Sequence, residues 1–102
     1  MVIRKEPKKV LIIPKRHVSD YIDLKQAEHN AIQQLVLMCQ EDLVKKDQTI
    51  TGFNFGVNSG SSAGQTVMHV HLHLIPRREG DVENPAGGIR NVIPGKGDYL
   101  SK

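Results

Sequence analysis

The chain has 102 residues, 38% of them hydrophobic and 4% aromatic, with no tryptophan. That length gives one small domain, residues 1–102, with an aliphatic core and around two-thirds of its unfolded surface buried. The net charge of +3 suits an anionic ligand, yet Lys5, Lys8, Lys9, Lys15 and Arg16 have no aromatics between them, so no nucleic-acid interface is expected.

In chain order, Met1–Lys9 is a short charged N-terminal segment (1–9) to which no element is assigned. Val10–Ile13 is an aliphatic strand closed by Pro14. Asp23 with Gln26 three residues on predicts a capping box at a helix start. Beyond it Leu24, Ala27, Ala31, Leu35, Met38 and Val44, with Ile32, Cys39 and Leu43 beside them, recur at helical spacing to about Lys46. Those positions are expected in the core, with His29 on the same helix but off the stripe, at the surface. Cys39 is the only cysteine, which excludes an internal disulfide and fits a reducing, cytoplasmic setting. Gly52–Val57 and Val67–Pro76 read as the second and third strands, and from Arg77 the tail (77–102) is irregular. Three short strands around one main helix make an α+β fold with an antiparallel sheet. No run of about 18 apolar residues occurs, so no membrane partner is expected.

The third strand carries the most informative run, His69-Val70-His71-Leu72-His73-Leu74-Ile75. A period of two puts the histidines on one face and Val70, Leu72 and Leu74 on the other. The aliphatic face is core; the histidine face is a row of groups that titrate near neutrality. Three readings compete for it. One is a solvated polar face. Another is zinc held by His69 and His71, to which His73 adds little: it lies roughly 13 Å from His69 along an extended strand, against zinc–nitrogen bonds of about 2.0–2.1 Å. The last is a row for a polyanion, with one imidazole as nucleophile and its neighbours as donors and proton carriers. Upstream, Phe53–Asn58 leads into Ser59-Gly60-Ser61-Ser62-Ala63-Gly64-Gln65-Thr66. Glycines there let backbone N–H groups approach an anion, and a hairpin would bring Asn58, Gln65 and Thr66 to the start of the row as neutral donors. Such fixed donors stabilise charge on a phosphoryl group in transfer.

Asn58, Gly64-Gln65-Thr66-Val67-Met68 and the histidine run together resemble the signature of the histidine triad (HIT) family of nucleotide hydrolases and transferases. Val10-Leu11-Ile12-Ile13-Pro14-Lys15-Arg16-His17-Val18 resembles that family's strand ending in Pro-Lys-x-His. The stretch Gly80–Pro94 is similar to the tail of its bacterial-type, diadenosine-tetraphosphate-hydrolase-like branch, and the likeness runs from Val10 to about Tyr99. The resemblance implies that His71 attacks the α-phosphorus of a nucleotide and forms a nucleotidyl-histidine, flanked by His69 and His73. It further implies that His17 is the family's fourth histidine and that Asn58, Gln65 and Thr66 bind the phosphates or leaving group. Histidine rather than glutamine at position 73 tilts the reading toward hydrolysis of a dinucleoside polyphosphate or nucleoside phosphoramidate. No cofactor is required on this reading; magnesium accompanies a polyphosphate as counter-ion.

The family commonly dimerises, and a three-stranded sheet leaves edges to pair, so a homodimer is expected. Members of the family carry roughly 30–40 further residues before the strand at Val10, in line with ordinary domain sizes. Met1–Lys9 is short beside that segment, which holds ribose and base, so affinity is expected to depend on phosphate and little on the base. The rival readings are a nucleotide-binding or regulatory module with little turnover, and a zinc-binding protein.

Overall fold

The computed structural model describes Met1–Gly97. Four strands, β1 (Val2–Glu6), β2 (Lys9–Ile13), β3 (Ile50–Val57) and β4 (Leu72–Arg78), form one antiparallel sheet in the order β1-β2-β4-β3. Among the described residues a single α-helix, α1 (Gln26–Lys46), joins β2 to β3, and short 3-10 turns occupy Tyr21–Asp23, Ser61–Ala63 and Gly88–Val92. The expected α+β fold with one main helix is the observed one, with one strand more than the sequence pattern predicts. That strand is β1, within the segment left without an element. It pairs with β2 from Val2 opposite Ile13 to Glu6 opposite Lys9. Its side chains show no alternation of burial, and Val2 and Ile3 are exposed. Backbone pairing at a sheet edge holds it, a force that leaves no periodic trace in sequence.

The register sorts residues onto two faces. Ile12, Leu72 and Val57 lie in one row across the sheet, and Val10, Leu74 and Phe55 in another. Ile12, Leu72 and Val70 pack against Ile32, Leu24 and Val18, with Leu35, Val36 and Val57 at the margin, and this is the core. The intervening row, Leu11, His73 and Gly56, belongs to the opposite face.

Three expectations are corrected. The Asp23–Gln26 capping box does not form. The helix starts at Gln26 behind Lys25, whose N–H donates to Glu28 Oε1 at 2.8 Å, while Asp23 closes a 3-10 turn and Gln26 Nε2 donates to Asn30 Oδ1. Glu28 wins the role because Arg16 grips the same carboxylate at 2.8 Å and ties it to the chain leaving β2. The helical stripe has the right period and is drawn too wide. Leu24, Ile32, Leu35, Cys39 and Leu43 turn inward together with Val36, whereas Ala27 is exposed, Met38 is 60% and Val44 39% exposed. One residue is about 100° around a helix, so the flanks of an apolar stripe reach solvent within one position. The last strand begins at Leu72, not Val67, because Val67–His69 bends and the Val70 N–H donates to the Val18 carbonyl at 2.7 Å instead of joining the ladder. It also runs on to Arg78, opposite Ile50, so Arg77 and Arg78 belong to the sheet and not to the irregular tail. Tyr99, at the end of the tail likeness, lies outside the described residues.

Candidate active site

Burial follows the alternation of the histidine run. Val70, Leu72 and Leu74 are 1%, 1% and 0% exposed, and His69, His71 and His73 are half-buried on the other side. His73 alone sits in regular strand; His69 and His71 lie on the lead-in to it. Two backbone carbonyls fix the rings. His69 Nε2–H donates to the Pro14 carbonyl at 2.8 Å, and His71 Nδ1–H donates to the His69 carbonyl at 3.1 Å. A carbonyl only accepts, so each bonded nitrogen carries the proton in the neutral ring, and His71 keeps its Nε2 lone pair. The rings also pack on one another: His17 meets His69 edge-on at 5.3 Å and 83°, and His71 meets His73 at 5.0 Å and 65°. The structure thus brings all four predicted histidines into one row.

His73 differs electrostatically from a surface histidine. Burial pushes its pKa down; the charge of Lys9 and then His71 adds to that, against a smaller opposing pull from Glu6. Its Nε2 is buried and pairs with no group among the described residues. At neutral pH His73 is therefore a neutral ring beside His71.

The loop between β3 and β4 is built differently from expectation. Gly60 and Gly64 turn it with φ of 90° and 96°, which only glycine adopts cheaply. Asn58 follows Val57, whose partner is Leu72, so it stands level with His71, and it is exposed; Thr66 is exposed too. Gln65 is not on the open face. It is 5% exposed, its amide hydrogens donate to the Ser19 and Val67 carbonyls at 2.7 and 3.0 Å, and its oxygen accepts from Gly60 N–H at 2.9 Å. In this arrangement the amide has no hydrogen left for a phosphate; it clamps the loop. Ser59 Oγ is likewise taken, donating to Asp20 Oδ1 at 2.6 Å, and Ser19 Oγ donates to the Met68 carbonyl. These bonds draw residues 18–20 under the loop and set His17 beside His69. No spacing in the sequence announces that pairing, since its partners are up to 49 residues apart. The residues that sequence reasoning missed, Pro14 as carbonyl acceptor and Ser19 and Asp20 as loop anchors, act through backbone atoms or short polar side chains without a pattern.

For the zinc reading, one nitrogen of His69 and one of His71 lie on backbone carbonyls, which leaves the other nitrogen of each ring to ligate; among the described residues no group of three His, Cys, Asp or Glu side chains is placed to complete such a site.

The family model for the HIT domain matches residues 5–80, most of the chain and all of the histidine row. The chain belongs to the HIT domain family. Among its HIT relatives, the bis(5'-adenosyl)-triphosphatase of Dictyostelium discoideum is 40% identical over 80 residues, which are 76% of this chain and 52% of that protein. The asymmetrical bis(5'-nucleosyl)-tetraphosphatase of Schizosaccharomyces pombe is 39% identical over 75 residues, 74% of this chain and 41% of that protein. Among solved HIT structures, the diadenosine triphosphate hydrolase of Plasmodium falciparum, in complex with cyclomarin A, matches with a TM-score of 0.67 at 32% identity. It covers 76% of this chain and 52% of that one. The HIT chain thus spans about half the length of these relatives, or less.

Proposed function

We propose that this HIT chain is a nucleotide hydrolase that cuts a phosphoanhydride or phosphoramidate at the α-phosphorus, on a dinucleoside polyphosphate or a nucleoside phosphoramidate. One observation carries the reading. His71 is held by its Nδ1–H on the His69 carbonyl at 3.1 Å, which leaves the Nε2 lone pair as nucleophile in the middle of the row. In the first step Nε2 attacks the α-phosphorus, the N–P bond forms, and the P–O or P–N bond to the leaving group breaks with its electron pair. In the second, water attacks the same phosphorus, the N–P bond returns its pair to Nε2, and a proton is released. His69 is locked through Pro14, and through its own carbonyl it locks His71, so little reorganisation accompanies attack. His73, neutral and adjacent, is suited to take the proton of the water that attacks in the second step. His17, Asn58 and Thr66 are assigned to phosphate contacts, and Gln65 to holding the loop that presents them.

The catalytic cycle uses no cofactor on this reading, and magnesium travels with the polyphosphate as its counter-ion. The names of the relatives, a triphosphatase and a tetraphosphatase of dinucleosides, support the substrate class. A homodimer is proposed because β1 and β3 are open edges, and β3 presents Phe55 at 40% exposure. A cytoplasmic setting is proposed on the single thiol at Cys39; none of the described helices is long and apolar enough to cross a membrane.

Intact-mass analysis after mixing with a nucleoside phosphoramidate or diadenosine polyphosphate tests the chemistry. A transient nucleotidyl mass on the protein is expected. Tight nucleotide binding with neither adduct nor product would replace the enzyme by a binding module.

A further inference from the structure

We propose that Lys9 extends the histidine row into a subsite for a phosphate beyond the scissile one, so that the site takes a chain of phosphates. The inference rests on the hydrolase reading for placing the scissile phosphate at His71. The sheet register supplies the geometry. Leu11 lies opposite His73, and Val10 opposite Leu74. Side chains alternate along a strand, so Lys9 shares the face of Leu11 and His73, one row further on. On β1, Arg4 lies opposite Leu11 and Glu6 opposite Lys9, which puts both on the same face. Passing along that face one meets His71, His73 and then Lys9.

Three observations single out Lys9 among the cations there. Glu6 is held by Arg4, Oε2 at 2.9 Å, and makes only a long ion pair with Lys9, whose Nζ stands 4.0 Å from Oε1, too far for a hydrogen bond. Arg77 is committed, to Asn54 at 2.6 Å and to Asp81 at 2.8 and 2.9 Å. The ammonium of Lys9 is felt at His73, where its charge is the largest influence after burial. At the end of the sheet next to Lys9 lies a cleft of about 600 Å³, lined from the row's face by Lys9, Glu6, Asn54 and Ile75 and reaching round to Val10 and to Leu43 of the helix, with room for further phosphates. The rows of His71 and Lys9 are about 13 Å apart along the strand, and the lysine stem closes part of that span. Phosphoanhydride links bridge the remainder; a single phosphoryl group does not. A row of imidazoles ending in an ammonium therefore selects a longer anion over a shorter one.

The test titrates the full chain with inorganic tripolyphosphate and with orthophosphate in a calorimeter, for the native protein and for Lys9→Gln, Lys9→Arg and Lys45→Gln. Alongside, kcat/KM is measured for diadenosine tetraphosphate and for a nucleoside phosphoramidate, which has no distal phosphate. Lys9→Gln is expected to weaken tripolyphosphate binding about tenfold, as the loss of one charge-assisted contact does, with orthophosphate unchanged. Lys9→Arg should retain most of the affinity, and Lys45→Gln, an equal loss of charge on the helix, should change neither anion. Equal tripolyphosphate affinity in native and Lys9→Gln protein overturns the subsite. The two readings part cleanly. Selective loss of tripolyphosphate in Lys9→Gln without hydrolysis of either nucleotide keeps the subsite and removes the hydrolase. Hydrolysis with a tetraphosphate-to-phosphoramidate ratio unchanged by Lys9→Gln keeps the hydrolase and removes the subsite.

Discussion

His71 and His73 are neighbours on one face of the histidine run with unequal surroundings, and the proposed mechanism gives them different tasks. His71 is anchored by one nitrogen and open at the other, so His71→Ala should abolish any covalent adduct and lower turnover by several orders of magnitude, the scale for removing a nucleophile. His29, packed edge-on against Tyr21 at 4.9 Å and away from the row, is the control whose replacement by Ala should change turnover little. His73 is held below the ordinary imidazole value, with burial the main cause. A depressed histidine pKa means that the fold favours the neutral ring. The stability so contributed is complete above the unfolded value of about 6.5 and is lost as pH falls through the lower folded value. NMR titration of the ring protons should place His73 below that reference, and a midpoint at or above it would contradict the burial argument. Gln65 provides the third test at this scale. Gln65→Ala removes three hydrogen bonds from a buried site, and a loss of about 1–3 kcal/mol in urea unfolding is expected. An unchanged unfolding midpoint with a lower kcat would return this side chain to the phosphate.

At the scale of elements, α1 bears on the sheet through a narrow stripe. Ile32 is 5% exposed and Met38 60%. Ile32→Ala should therefore cost about 2–5 kcal/mol, whereas Met38→Ala should stay within about 0.5 kcal/mol, both by chemical denaturation. The reverse order would mean that Met38, not Ile32, faces the sheet. The C-terminal end of the helix is joined to the end of β4 by one carboxylate. Asp47 accepts from the Thr49 N–H at 3.0 Å and from its hydroxyl, and from Arg78 Nη2 at 2.7 Å, and these contacts hold its pKa at about 2. A lowered carboxyl pKa stabilises the fold above the unfolded value of about 3.9, and that contribution disappears as pH falls through about 2. Asp47→Asn should consequently flatten the acid limb of the stability profile. An unaltered acid limb would show that the helix end is held by packing alone.

For the whole molecule, the sheet is a partition with the aliphatic core and α1 on one side and the histidine row on the other. Every second residue of β4 serves each side, which is why a single strand supplies both Leu72 and Leu74 to the core and His73 to the site. Both outer strands are open, and sedimentation of the native chain at micromolar concentration should report a dimer; a strictly monomeric species would leave β1 and β3 as solvated edges.

The histidine face was legible from the sequence alone because period-two alternation is local: geometry within one strand determines which side chains share a side, whatever the rest of the chain does. The same holds for the strand at Val10–Ile13 and for α1, whose inward positions Ile32, Leu35, Cys39 and Leu43 follow from the helical period while its flanks at Ala27, Met38 and Val44 do not. What only the tertiary structure decided depends on partners distant in sequence. β1 is a strand because β2 lies beside it. β4 starts at Leu72 because Val18 takes the N–H of Val70, and Gln65 is a buried clamp because Ser19 and Gly60 meet it there. Lys9 joins the histidine row only through the register that sets Leu11 opposite His73. Local periodicity is written residue by residue, whereas register and hydrogen-bond partnership are properties of two segments at once, and neither segment states them by itself.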